Sequence, residues 1–205
     1  MAKNKIESLE KRAKGKEVEI RTLGTIQLRS DDSENADSRI VEGCAVVFDT
    51  DSVDMGFIEQ VGKDAIDQSV IDSSDVYATL DHNTLRGILA RSRYGKGTLS
   101  LELREDGLYY SFKAPNTALG DEVLEMIRRG DITGSSFAFT VKEDEWVYDE
   151  SNARRFIKKI DRLFDVSPVY TPAYQATSAT TRKFEDYTNI IKKLTDLEKE
   201  FAEDW

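Results

Sequence analysis

One cysteine, one histidine and three prolines are all that a chain of 205 residues contains of these types, and each scarcity removes a class of protein. Cys44 has no partner, so no intrachain disulfide forms and a reducing compartment is expected. A single histidine and a single cysteine cannot supply the ligands of a structural zinc site. The counts leave a carboxylate-held magnesium or calcium ion open, but no EF-hand loop is present; no metal and no other cofactor is expected. Long apolar runs are missing too: none approaches the roughly 18 residues needed to cross a bilayer. The opening "MAKNKIESLEKRAKGKE" is charged throughout and lacks the apolar segment of a signal peptide. No membrane partner and a cytoplasmic setting are therefore expected. Positive charge is also in deficit, with a formal net charge of −10. Nucleic acid is a poor partner for such a chain, because phosphate neutralisation needs a concentrated basic patch. The densest basic group, Arg154, Arg155, Lys158 and Lys159, alternates with apolar residues and reads as the wet face of a strand.

What remains is enough for one compact core with tails, at 39% hydrophobic and 33% charged residues. Residues 1–16 form a charged N-terminal arm. "EVEIRTLGTIQLRS" alternates at period two, as a strand does, and "SDDSENADS" at 30–38 is an apolar-free loop. "RIVEGCAVVFD" resumes as a strand whose Gly43 suggests a bulge or a close backbone approach. "GFIEQVGKDAIDQSVIDSS" reads as a short strand and a helix with Ala65, Ile66, Val70 and Ile71 on one side. "DVYATLDH" reads as a strand ending at the histidine, and "LRGILARS" as another. "TLSLELREDGLYYSFKA" is a hairpin with Asp106-Gly107 at its turn. "TALGDEVLEMIRRG" is an amphipathic helix closed by Gly130. A strand from the two serines to about Trp146 follows, a loop at "YDESNA", and then "RRFIKKIDRLFDVSPVYTPA". Repeated strands with two helices among them give a mostly β, α+β domain spanning 17–177. Beyond it, 178–205 forms an acidic amphipathic helical tail, its stripe running from Phe184 through Tyr187, Ile191 and Leu194.

The chemistry concentrates in "DITGSSFAFTV", residues 131–141. A serine hydroxyl becomes a nucleophile when a neighbouring base takes its proton, and histidine is the usual base. With His82 alone, the base is unique if the chemistry exists. Alternation sorts the serines: Ser135 shares the face of Phe137 and Phe139, and Ser136 that of Ala138 and Thr140. The phenylalanines mark the core, whereas Ser-Ala-Thr makes a shallow face on which a substrate backbone could lie. Ser136 is the better nucleophile candidate, with Ala138 and Thr140 as substrate-binding candidates.

Six blocks in order resemble the prohead proteases of tailed bacteriophages, capsid-maturation serine peptidases distantly related to herpesvirus assemblin. They are "GCAVVFDTDS", "FIEQVGKDAIDQSV", "VYATLDHN" with "GILARS", "TLSLELREDGLYYSFKAPNT", "VLEMIRRGDITGSSFAF" and "RLFDVSPVYTPAYQAT", spanning residues 43 to 177. The resemblance implies His82 as base and Ser136 as nucleophile. The acid of the family's E-V-S block falls on Asp165, one methylene shorter than the commoner glutamate. Asp81, beside the histidine, and Asp161 stand as alternative orienting acids. Ser135 occupies a position where a larger apolar residue is common, "VGKDAI" replaces a P-G-A-F segment, and Pro168 implies an edge or a kink.

The resemblance further implies an assemblin-like closed β-barrel with surrounding helices. It implies a homodimeric serine endopeptidase working inside the immature prohead in the bacterial host cytoplasm. That enzyme would remove the scaffolding segment of the major capsid protein, or a separate scaffold protein, and could cut itself at 30–38 or 176–186. A non-catalytic scaffold or assembly chaperone on the same fold is the alternative.

Overall fold

The computed structural model describes residues 16–29, 39–148 and 153–170. The 30–38 loop, the 176–186 linker, the 178–205 tail and all of the 1–16 arm except Lys16 lie outside the described residues. In chain order the elements are β1 (Glu19–Leu28), β2 (Ile40–Val47), β3 (Ile58–Val61), α1 (Gln68–Ser73), β4 (Asp75–Ala78) and a 3₁₀ turn (Thr84–Arg86). There follow β5 (Ala90–Arg93), β6 (Lys96–Gly97), β7 (Leu99–Arg104), β8 (Gly107–Lys113), α2 (Ala118–Arg129), β9 (Gly134–Tyr148) and β10 (Ala153–Val169). The strands form one sheet in the order β6-β5-β4-β10-β9-β1-β2-β8-β7, with β3 also paired to β10. Its two ends approach each other: the Thr98 N–H, just before β7, donates to the Arg91 carbonyl of β5 at 3.0 Å. The barrel is thus nearly closed, and the mostly β architecture with two helices is the one expected.

The barrel interior takes Phe137 and Phe139 of β9, Leu163 and Val166 of β10, and Val41, Val46, Leu108, Tyr110 and Phe112 of β2 and β8. Helix α2 begins at Thr117, whose side chain accepts from the Gly120 N–H, and ends at left-handed Gly130. Helix α1 is shorter than the sequence suggests. It starts only after the Asp67 cap, whose carboxylate accepts from the N–H groups of Ser69 and Val70. The hairpin turn is shifted as well: Arg104 pairs with Gly107, so Glu105 and Asp106 form the loop. Gly107 is needed for room, since a Cβ there would lie 2.4 Å from the Val46 carbonyl oxygen.

Gly24 is the tightest of the close approaches. A Cβ at this position would lie 1.6 Å from the Cys44 carbonyl oxygen, on backbone that cannot swing aside. Gly24→Ala should therefore lower unfolding free energy by about 1–3 kcal/mol, read as a lower urea midpoint at unchanged slope.

Pro168 of β10 lies past the end of β4, so β9 flanks it as a strand on one side, and on the other its carbonyl accepts from the Asp81 N–H at 2.9 Å. Along a strand a residue's N and C=O point the same way, so the missing N–H faces the 79–82 loop and no β9 ladder bond is lost. Arg155, read as solvated, is 2% exposed and stands in a charged cluster under the sheet. Its guanidinium bonds both Glu19 oxygens at 2.5 and 2.9 Å, Glu59 at 3.0 Å and Asp144 at 2.7 Å. Arg21 adds bonds to Glu59 at 2.5 and 2.9 Å and to Glu19 at 2.7 Å. Burial opposes the charge on Arg155, yet these carboxylates hold its pKa above the ordinary arginine value.

Candidate active site

The two serines of β9 go to different environments, as alternation requires. Ser135 faces the interior and donates to the Tyr110 hydroxyl at 2.9 Å. Burial pushes the Tyr110 phenol up, so it stays neutral. Gly43 makes room for that ring, because a Cβ there would lie 2.4 Å from it. Ser136 faces the other side, where its Oγ is 2.7 Å from His82 Nε2.

His82 does not end a strand. Strand β4 stops at Ala78, and the chain then turns through Asp81 (φ 56°) and His82 (φ 55°), both in the left-handed region. Two consecutive non-glycine residues there are uncommon, and such backbone persists only where its surroundings hold it. The holding bonds are the Asp81 N–H to the Pro168 carbonyl and the Thr79 N–H to Ser167 Oγ, each 2.9 Å. The turn brings the imidazole back over β9 and β10.

A bulge in β10 supplies the acid. Leu163 pairs with Phe139 and faces the interior, so strict alternation would turn Asp165 inward as well. Phe164 is inserted between them, and Asp165 pairs instead with Ala138, on the Ser136 side. His82 Nδ1 lies 2.8 Å from Asp165 Oδ1, but this oxygen sits off the ring's N–H direction. The contact is thus a close approach rather than an aligned hydrogen bond. Such bonds are often loose before substrate arrives. Asp165 is fully buried and is held on both oxygens: Ser167 Oγ donates to Oδ1, and Thr79 Oγ1 to Oδ2 at 3.2 Å.

Of the two rival acids, Asp161 is already paired: it bonds Lys16 Nζ at 2.6 Å, and that ammonium holds its carboxyl below the usual range. Asp81 belongs to the left-handed turn rather than to a strand. Thr79 and Ser167 were not singled out in the sequence. Ser167 could have been, since it follows Asp165 by two residues and shares its face.

The small-residue face of Ser136, Ala138 and Thr140 has the expected parity but is closed. Val18, Ile20 and Phe164 pack on Ala138, and Thr140 Oγ1 donates to Asp161 at 3.5 Å. Ser136 is 1% exposed and His82 6%. The Arg21 carbonyl oxygen lies 2.9 Å from Ser136 Oγ and accepts from it. One hydroxyl proton cannot serve both this carbonyl and the imidazole fully.

A model of the caudovirus prohead serine proteases matches residues 24–190 of the chain. No curated protein matches it. Among solved structures, the bacteriophage T4 capsid assembly protease, gp21, is similar with a TM-score of 0.46. Identity to it is 13%, and the likeness covers 75% of this chain and 98% of that one.

Proposed function

Because the chain belongs to the caudovirus prohead serine protease family, and is by that membership a serine peptidase, we propose that its hydrolysis runs through Ser136, His82 and Asp165. The observation that carries the reading is the contact of 2.7 Å between Ser136 Oγ and His82 Nε2. Ser136 attacks the scissile carbonyl as His82 takes its proton, and His82 then returns the proton to the leaving amine. Asp165 holds the ring tautomer and offsets the charge of the imidazolium, with Thr79 and Ser167 keeping the carboxylate in place. Water hydrolyses the acyl-enzyme with His82 again as base, releasing Ser136.

The substrate is the scaffolding segment of the major capsid protein, or a separate scaffold protein, cut inside the immature prohead by a homodimer. The chain also cuts itself in its polar segments. Peptide is bound extended, as an added strand along β9 near Ala138 and Thr140.

Co-expression with the candidate capsid protein, followed by intact mass, tests the reading. Truncation should occur with Ser135→Ala and vanish with Ser136→Ala; truncation surviving Ser136→Ala would sink the assignment. Asp165→Asn should keep the fold but lower kcat by about 10⁴, because the amide favours the wrong tautomer. Retention of most activity in that variant would hand the orienting role to another group.

A further inference from the structure

The geometry points to Val18–Leu23 as the chain's own occupant of the substrate strand's place, so that an extended peptide binds beside Ser136 only after this segment leaves. The inference rests on Ser136 being the nucleophile. The N-terminal half of β1 pairs with β9 alone: Glu19, Ile20 and Arg21 lie opposite Phe139, Ala138 and Phe137. Pairing to β2 is confined to Ile26–Leu28. The register shifts between Arg21 and Gly24, at the level of Ser136, so the two halves of β1 are joined by an irregularity rather than a continuous ladder. Gly24 is pinned against the Cys44 backbone, which fixes the far side of this joint. The match to the family begins at Gly24, so the segment lies outside the matched span.

What the segment does at the site resembles what a substrate must do. A scissile carbonyl has to come within about 3–3.5 Å of the attacking oxygen. The Arg21 carbonyl already fills that space through its oxygen, which accepts from Ser136 Oγ at 2.9 Å and so blocks the site rather than presenting its carbon for attack. Val18 and Ile20, two residues apart, fill the ground over Ala138 and Phe164. A substrate strand in the same register would set its own alternate side chains there, so extended peptides with apolar residues at alternate positions are the ligand class.

The segment can also leave without stranding a charge. Glu19 and Arg21 go together as a neutral pair, and what stays is Glu59 with Arg155, 3.0 Å apart, and Asp144 on Arg155. Breaking a buried network by removing one charge is severe, but removing a balanced pair leaves the remainder paired.

The test uses the full chain and a fluorophosphonate, which phosphonylates an activated serine with loss of fluoride. Val18→Asp with Ile20→Asp should raise the labelling rate at least about ten-fold, because charge on these positions disfavours the closed state. Val18→Ala and Ile20→Ala should each raise it by about three- to ten-fold, and they decide the matter if the double variant fails to fold. A peptide of sequence KEVEIRTL, residues 16–23, should slow labelling of the opened protein again. Labelling that is equally fast in the parent chain and in the alanine variants overturns the inference while leaving the nucleophile assignment intact. Labelling that persists in an opened protein carrying Ser136→Ala overturns that assignment instead.

Discussion

Replacing Ser136 by alanine should lower kcat/KM for peptide cleavage by about 10⁴–10⁶, and His82→Ala should lower it by a similar factor. The two together should be no worse than either alone, because nucleophile and base act as one unit and the first loss already removes the covalent route. The physical ground is the isolation of the pair. Ser136 and His82 meet at 2.7 Å on the face of β9 opposite the core, and His82 is the chain's only imidazole. Ser135→Ala is the built-in control. It removes a bond of 2.9 Å to the Tyr110 hydroxyl inside the barrel and should cost about 1–3 kcal/mol of stability while sparing kcat. Steady-state kinetics beside urea denaturation separates the two outcomes. Multiplicative losses in the double variant would show that the residues act independently.

Glu59→Gln should be the most damaging single substitution for stability, with an expected loss of about 3–5 kcal/mol in unfolding free energy. Glu59 is fully buried and, like Glu19, is shared by Arg21 and Arg155. Glutamine keeps the shape but turns an amide N–H₂ toward two guanidinium groups, and two buried cations are left with Glu19 as their buried counter-charge. Asp144→Asn touches the same Arg155, but Asp144 is 30% exposed, so its loss should cost no more than about 1 kcal/mol. Urea midpoints for the two variants measure the contrast; equal, small losses would mean that solvent reaches the cluster.

How far the sequence could be read depended on where period two survives. It survives through Gly134–Thr140, which is why alternation alone separates Ser136 from Ser135. It fails on β10, where the register slips at several points between Ile157 and Asp165. On a strict period of two Asp161 and Asp165 would share one face, whereas the former meets Lys16 and the latter His82. It fails again after Ala78, since nothing in "TLDHN" announces two left-handed residues. The Glu19–Arg155 pair closes over 136 residues, and no local pattern could turn Arg155 from a solvated strand face to a buried one. The covering of Ser136 by Val18–Arg21 was illegible for the same reason: a strand's partner is set by the whole sheet.

The central claim, that Ser136 is the activated serine, is met most directly by mapping a fluorophosphonate adduct within the 131–141 stretch by tandem mass spectrometry. The expected spectrum places the added mass on Ser136, leaves Ser135 unmodified, and loses the adduct in His82→Ala. An adduct on Ser135 or on any other serine, or one that forms as readily without His82, would contradict it.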